Sequence, residues 1–326
     1  MTSPVIVAEV VRSGFVEGHH HGSVVVTGPD GAVEWSAGVV DRPMFPRSSH
    51  KPLQALGMLR AGLELDGELL ALAAASHSGE AFHIDGVRRI LAGAGLDPTA
   101  LRTPAGYPLD ELARDDWIRA GHAAEPITMN CSGKHAAMLA TSVANGWPTD
   151  SYRAPEHPVQ RAIGAAIEDC AGERVAAVAV DGCGAPLLAI SLAGLARAFG
   201  RLASAAPESV QGRVTGALRA HPEWASGTRR DEAALIRATP GLICKGGAEA
   251  VYAVGLVDGR GIAVKIDDGG SRARAVVMAA TLLALGVDNE VIRGQREFAV
   301  LGGGAPVGAV RPAPELARLL DALAAH

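Results

Sequence analysis

Short apolar stretches broken by polar and glycine positions open the chain. Residues 5–11 and 22–26 are valine-rich, Gly28-Pro29-Asp30-Gly31 reads as a turn, and residues 32–37 resume the alternation. A side-chain period of two around such a turn predicts antiparallel strands, so the fold is expected to open on a hairpin. From Lys51 to about Ile236 the spacing changes. Alanine and leucine recur at helical intervals over 52–61, 69–75, 84–94, 136–145, 159–170, 186–199 and 210–221. Strand-like runs return at 250–256 and 261–266, and a further helix is expected over 272–285. Strands at both ends of a helical middle predict an α/β (α+β) fold, with one antiparallel sheet assembled from the two chain ends and a helical subdomain inserted. We expect a single catalytic unit over 1–326, with 1–50 and 245–326 forming the sheet-containing part and 51–244 the mainly helical part.

Composition narrows the partners. At 326 residues and 48% apolar content the chain can bury a large core. Its net charge of -5 leaves no basic footprint, so neither nucleic acid nor an acidic membrane surface is expected as a partner. The opening segment Met1-Thr2-Ser3-Pro4-Val5 carries no basic stretch ahead of an apolar one, and the run over 275–287 is too short to span a bilayer. A soluble, cytoplasmic protein is expected. Four cysteines in so long a cytosolic chain do not make a disulfide framework; each is a core residue, a metal ligand or a reactive thiol.

The lysines point to chemistry. Only four of the 30 basic residues are lysines, namely Lys51, Lys134, Lys245 and Lys265. An ammonium can give up its proton and then act as base, nucleophile or ligand, which a guanidinium cannot do. Ser48-Ser49-His50-Lys51 has the form S-x-x-K at a strand-to-helix junction, where a helix starting near Ser48 would bring the hydroxyl and the amine to one face. A neutral Lys51 then takes the Ser48 proton and an acyl-enzyme becomes possible. On this pattern alone Ser48 serves equally as a helix cap. Ser76-His77-Ser78-Gly79-Glu80 follows a buried-looking run and suits a polar pocket floor, or a cap with Glu80 leading into the next helix. Asn130-Cys131-Ser132-Gly133-Lys134-His135 and Asp181-Gly182-Cys183 each offer a thiol. Together the two could hold zinc with Lys134 or His135 as third ligand, or Cys131 could be a thiolate lowered by Lys134 without any metal. Asp181 is a candidate for the metal's surroundings or for a substrate amine. Lys245-Gly246-Gly247 has the form of the lysine triads that close Ser-Lys active sites.

These clusters resemble the L-asparaginase II family of rhizobial type. The resemblance runs through Arg47-Ser48-x-x-Lys51-Pro52-x-Gln54-Ala55, Ala75-Ser76-His77-Ser78, the six residues from Asn130 to His135, Asp181-Gly182-Cys183, His221-Pro222-Glu223 and Lys245. It implies a fold like that of serine β-lactamases and penicillin-binding proteins. It also implies release of aspartate and ammonia from L-asparagine, two Ser-Lys tandems (Ser48 with Lys51, Ser76 with Lys245), and zinc on Cys131, Lys134 and Cys183. Arg47, His77, Glu80, His135 and Asp181 are expected around the substrate, and a homodimer is expected. Two other readings stay open: a thiol amidase using Cys131 or Cys183 with His135, and a non-catalytic zinc- or ligand-binding protein on the same scaffold.

Overall fold

The computed structural model describes residues 3–324; Met1, Thr2, Ala325 and His326, which the expected unit includes, lie outside the described residues. The fold is mixed α/β with an antiparallel sheet. Its residues divide into two compact units, one of 1–49, 190–204 and 238–326, the other of 50–189 and 205–237. Among the described residues no helix is long and apolar enough to cross a membrane.

In the first unit the chain ends meet in one sheet. Among the described residues its strands run in the order Phe298–Gly302, Ala305–Pro312, Val5–Arg12, Phe15–Thr27, Gly261–Ile266, Val251–Gly255 and Ile243–Gly246, with Val33–Ala37 also on Phe15–Thr27. Val10 lies opposite Val310, which places the last strand beside the first. Phe15–Thr27 is long enough to change neighbours. Its first half pairs with Val5–Arg12, and its second half, buried from Gly22 onward, lies between Val33–Ala37 and Gly261–Ile266. Val251–Gly255 is buried at every position, because helices cover both faces. The parity of the strand shows this. A Cβ on Gly255 would stand 2.1 Å from the Phe199 carbonyl of helix Leu192–Ala203, so only glycine lets that backbone approach. Tyr252, of opposite parity, lies under the Arg274 guanidinium of helix Ser271–Ala284, 5.1 Å from its ring centre.

The expected helix over 186–199 is corrected here. Pro186–Ser191 is a fully buried strand, and the helix begins only at Leu192, where Ser191 Oγ accepts from the Gly194 amide at 2.8 Å. That helix lies in the sheet-containing unit rather than in the helical part where the sequence placed it.

The second unit is helical. Its central helix, Lys51–Arg60, buries every residue from Lys51 to Leu59. Gly57 makes this possible on one side: a Cβ there would be 2.7 Å from the Ile163 Cα of helix Pro158–Ala171. Helices Ser132–Ala144 and Val210–Ala220 also pack on it. A helix with no solvent face must satisfy any polar group it carries from within, and Lys51 is 1% exposed.

Candidate active site

Of the residues singled out in the sequence, the helical unit holds Lys51, Ser76, His77, Glu80, Cys131, Lys134, His135, Asp181 and Cys183, while Arg47, Ser48 and Lys245 belong to the sheet unit.

Lys51 is the first residue of its helix and its amine donates three hydrogen bonds: to the Ala75 carbonyl at 2.7 Å, to Ser76 Oγ at 2.9 Å and to Cys131 Sγ at 3.0 Å. Three acceptors exhaust an ammonium's three protons, which is how so buried a lysine is tolerated. Ser76, 6% exposed, therefore already shares a hydrogen bond with a lysine. Next to it, His77 Nε2 lies 2.8 Å from Ser132 Oγ, whose hydroxyl donates to the Ile127 carbonyl at 2.7 Å. The serine proton being committed, His77 must donate, which leaves its Nδ1 bare and without a partner. Burial, then His83 and Lys51, push His77 well below the usual imidazole range, so it is neutral. Glu80 does not cap its own helix; its carboxylate accepts from the Thr228 amide at 2.9 Å and hydroxyl at 2.7 Å.

Cys131 and Cys183 pack in one small buried cluster with Ala185. The hydrogen bond from Cys183 lowers Cys131 well below the ordinary thiol range against the cost of burial, with Lys51 and Lys134 adding to it. The same bond to Cys131, with burial, raises Cys183. The two shifts run in opposite directions, as expected of two sulfurs competing for a proton, with Cys131 the more readily deprotonated. Lys134 donates to Cys183 Sγ at 3.2 Å, and although burial pulls its pKa down, Cys183, Cys131 and Asp181 outweigh that and raise it. Among the described residues no three His, Cys, Asp or Glu side chains converge as a metal site, so a zinc ion here depends on the Lys134 amine. The donor set fits one on that condition: the two sulfurs share a buried cluster with the Lys134 amine 3.2 Å from one of them, and the amine must release its proton to ligate. Asp181 accepts from the Gly182 amide at 2.8 Å and stands 3.8 Å from the Cys183 sulfur. His135 does not stand ready as a base. Its Nδ1 is 2.7 Å from the Tyr152 hydroxyl, and burial lowers it to about 4. Tyr152, at 0% exposure and bonded also to the Arg102 amide, escaped the sequence reading because no motif surrounds it.

In the sheet unit, a 3-10 turn spans Arg47–His50, and the α-helix starts only at Lys51, three residues after the expected Ser48. Ser49, not Ser48, is tied down, its hydroxyl donating to the Pro46 carbonyl at 2.7 Å. Ser48 is half-buried and its hydroxyl makes no hydrogen bond among the described residues. The stretch after Lys245 lies against this turn. A Cβ on Gly247 would be 2.7 Å from the Pro46 carbonyl and 3.3 Å from the Ser48 amide, so glycine is needed for the approach. Lys245, 1% exposed, donates to the Gly246 carbonyl at 2.8 Å.

A pH effect on stability arises from His83, stacked on His77 at 5.2 Å between ring centres. Its Nε2 donates to the Glu223 carbonyl at 2.9 Å, and burial lowers it from 6.5 to about 4. An unfolded chain therefore takes up this proton first on acidification. The stability from a neutral His83 is complete above about pH 6.5 and is lost toward pH 4, by up to about 3 kcal/mol. Urea unfolding at pH 7 and pH 4.5 tests this: His83→Gln should show a smaller loss on acidification than wild type, and an equal loss would exclude His83 as the source.

The family model described as L-asparaginase II matches residues 8–312. No curated protein matches the chain. Among solved structures, a β-lactamase from Mycobacterium bovis is similar at 13% identity, covering 80% of this chain and 94% of its own, with a TM-score of 0.44. Mglu in its native form is similar at 15% identity over 79% and 62% with a TM-score of 0.41. EstCE1, a hydrolase with promiscuous acyltransferase activity, is similar at 12% identity over 77% and 91% with a TM-score of 0.39.

Proposed function

The chain belongs to the L-asparaginase II family and is an L-asparaginase, and we propose that it cleaves the side-chain amide of L-asparagine through an acyl-enzyme formed on Ser48. In this reading Lys51 first releases one of its three protons through the Ser76 hydroxyl it contacts, and the neutral amine then takes the Ser48 proton as Ser48 Oγ adds to the carboxamide carbon. The tetrahedral adduct collapses with loss of ammonia, which leaves with a returned proton, and water then hydrolyses the ester to aspartate. Ser76 and Lys245 act as proton relay. The observation that carries the reading is the Ser48 hydroxyl, half-buried and without a hydrogen bond among the described residues, three positions before a Lys51 amine that is withdrawn from solvent. Such a hydroxyl is free to meet a substrate.

Zinc on Cys131, Lys134 and Cys183 is part of the proposal, supported by the convergence of those donors. When bound there it supplies a positive charge with one open coordination position for a substrate oxygen. In the thiol-amidase alternative the expected base, His135, is lowered to about 4 by burial and bonded to the Tyr152 hydroxyl, so that reading would have to rest on the Cys131 thiol, lowered by its neighbours, without His135.

One observation favours a second assignment of the nucleophile. The serine hydroxyl in contact with Lys51 is that of Ser76, not Ser48. Kinetics of Ser48→Ala, Ser76→Ala and Cys131→Ser separate the readings. With Ser48 as nucleophile, Ser48→Ala should lower kcat by a factor on the order of 10,000 or more at unchanged zinc content, while Cys131→Ser mainly raises KM. Near wild-type turnover by Ser48→Ala would end the Ser48 assignment. A covalent adduct trapped on Ser76 by a slow aspartyl ester would transfer the role to it.

A further inference from the structure

We propose that Arg47 and Glu249 together recognise the zwitterionic α-amino-acid head group of the substrate, Arg47 taking the α-carboxylate and Glu249 the α-ammonium. The inference rests on the Ser48 reading and extends it to the rest of the substrate. In asparagine the carboxamide carbon and the α-carbon are separated by a single methylene. Groups that read the head must therefore adjoin the nucleophile, and Arg47 directly precedes Ser48.

The backbone marks this place as unusual. Non-glycine residues with positive φ among the described residues are Ser13, Arg47, Glu249 and Ala250, and three of the four gather here, at 52°, 56° and 52°. Each costs free energy that its surroundings must supply, and such conformations persist where they aim a side chain at a function. The turn that contains Glu249 follows Lys245-Gly246-Gly247 and is closed by the Gly247 amide donating to the Val251 carbonyl at 2.8 Å. Gly247 is also the residue that lies against the Ser48 amide, so the Glu249 turn and the Ser48 turn are anchored to one another.

Arg47 and Glu249 meet at 3.4 Å, a separation within the range of the other surface pairs such as Arg119–Asp115 at 3.7 Å, and their side chains are 24% and 61% exposed, so solvent and a ligand can reach the pair. A zwitterion can open such a pair with both charges still compensated. The planar guanidinium matches a carboxylate in a two-point contact, and the glutamate carboxylate accepts from the ammonium. Gly269 leaves room for the Glu249 carboxylate: a Cβ there would come within 2.6 Å of Glu249 Oε2. A dicarboxylate without the ammonium would bring only negative charge to Glu249.

The test uses the full chain and two ligands that require no turnover: L-aspartate, and succinate, the same dicarboxylate without the amine. By titration calorimetry the wild type should bind aspartate at least about tenfold more tightly than succinate. Glu249→Gln should weaken aspartate by about 10- to 100-fold while leaving succinate unchanged or tighter, and Arg47→Gln should weaken both. Ala250→Gly, which removes a left-handed β-carbon without touching either charge, should keep the preference. A parallel loss of both ligands in Glu249→Gln would mean that the residue only shapes the turn, and it would overturn the proposal. So would an unchanged aspartate affinity, or no aspartate binding to the wild type. Failure of the Ser48 reading shows separately, as full ammonia release by Ser48→Ala, because neither ligand affinity depends on that hydroxyl's reactivity.

Discussion

Lys51→Arg is expected to abolish ammonia release from asparagine although it conserves charge. Arginine can satisfy the Ala75 carbonyl, the Ser76 hydroxyl and the Cys131 sulfur, the three groups that Lys51 contacts, but it cannot accept a proton at neutral pH. Loss of general-base assistance corresponds to about a 100- to 10,000-fold fall in kcat. Because Lys51 is 1% exposed, the larger side chain should also overpack the helical unit, by about 1 to 3 kcal/mol. Lys51→Met separates the two effects, since it is close in volume and has no base. Both variants should be inactive, while thermal unfolding shows how much folded protein each assay contains. More than about a tenth of wild-type rate in either, at matched folded concentration, would remove Lys51 from the chemistry.

Cys131→Ser and Cys183→Ser are each expected to lose bound zinc, to below about a tenth of the wild-type content, and Cys170→Ser to retain it. The contrast is one of placement. Cys131 and Cys183 share a cluster and are the sulfurs facing Lys51 and Lys134, whereas Cys170 is buried along helix Pro158–Ala171. All three substitutions bury a hydroxyl in place of a thiol, so loss of packing alone would not distinguish them. Elemental analysis of the purified variants decides it. Equal zinc in the three would dismiss the site, and loss only in Cys170→Ser would relocate it.

Much of the architecture was legible because local pattern and tertiary role agree. The opening strands and Gly261–Ile266 carry short valine- and isoleucine-rich runs bounded by turn residues, which read as strands although they are largely buried and do not alternate. The misreading over 186–199 has a physical origin. Pro186-Leu187-Leu188-Ala189-Ile190-Ser191 is buried on both faces, and a continuous apolar run loses the period that separates strand from helix. The closing hairpin of Phe298–Gly302 and Ala305–Pro312 went unpredicted even though Gly303-Gly304 marks its turn, because Val300 and Val310 are its only buried apolar residues.

At the site, the reagents were readable from residue types and motifs. Scarcity of lysine, and glycine-punctuated motifs around Ser48, Ser76, Cys131 and Cys183, named the hydroxyls, amines and thiols from which any chemistry must be drawn. Which of them meet is set by the packing of distant segments. Lys51 touches Ser76 and Cys131, 25 and 80 positions away, and Lys134 touches Cys183 across 49. No local periodicity encodes contacts of that separation; they follow from which helix faces pack together. The left-handed backbone at Arg47, Glu249 and Ala250 was hidden for the same reason. None of the three is glycine, so nothing in the residue types announces a conformation that only the surrounding fold imposes.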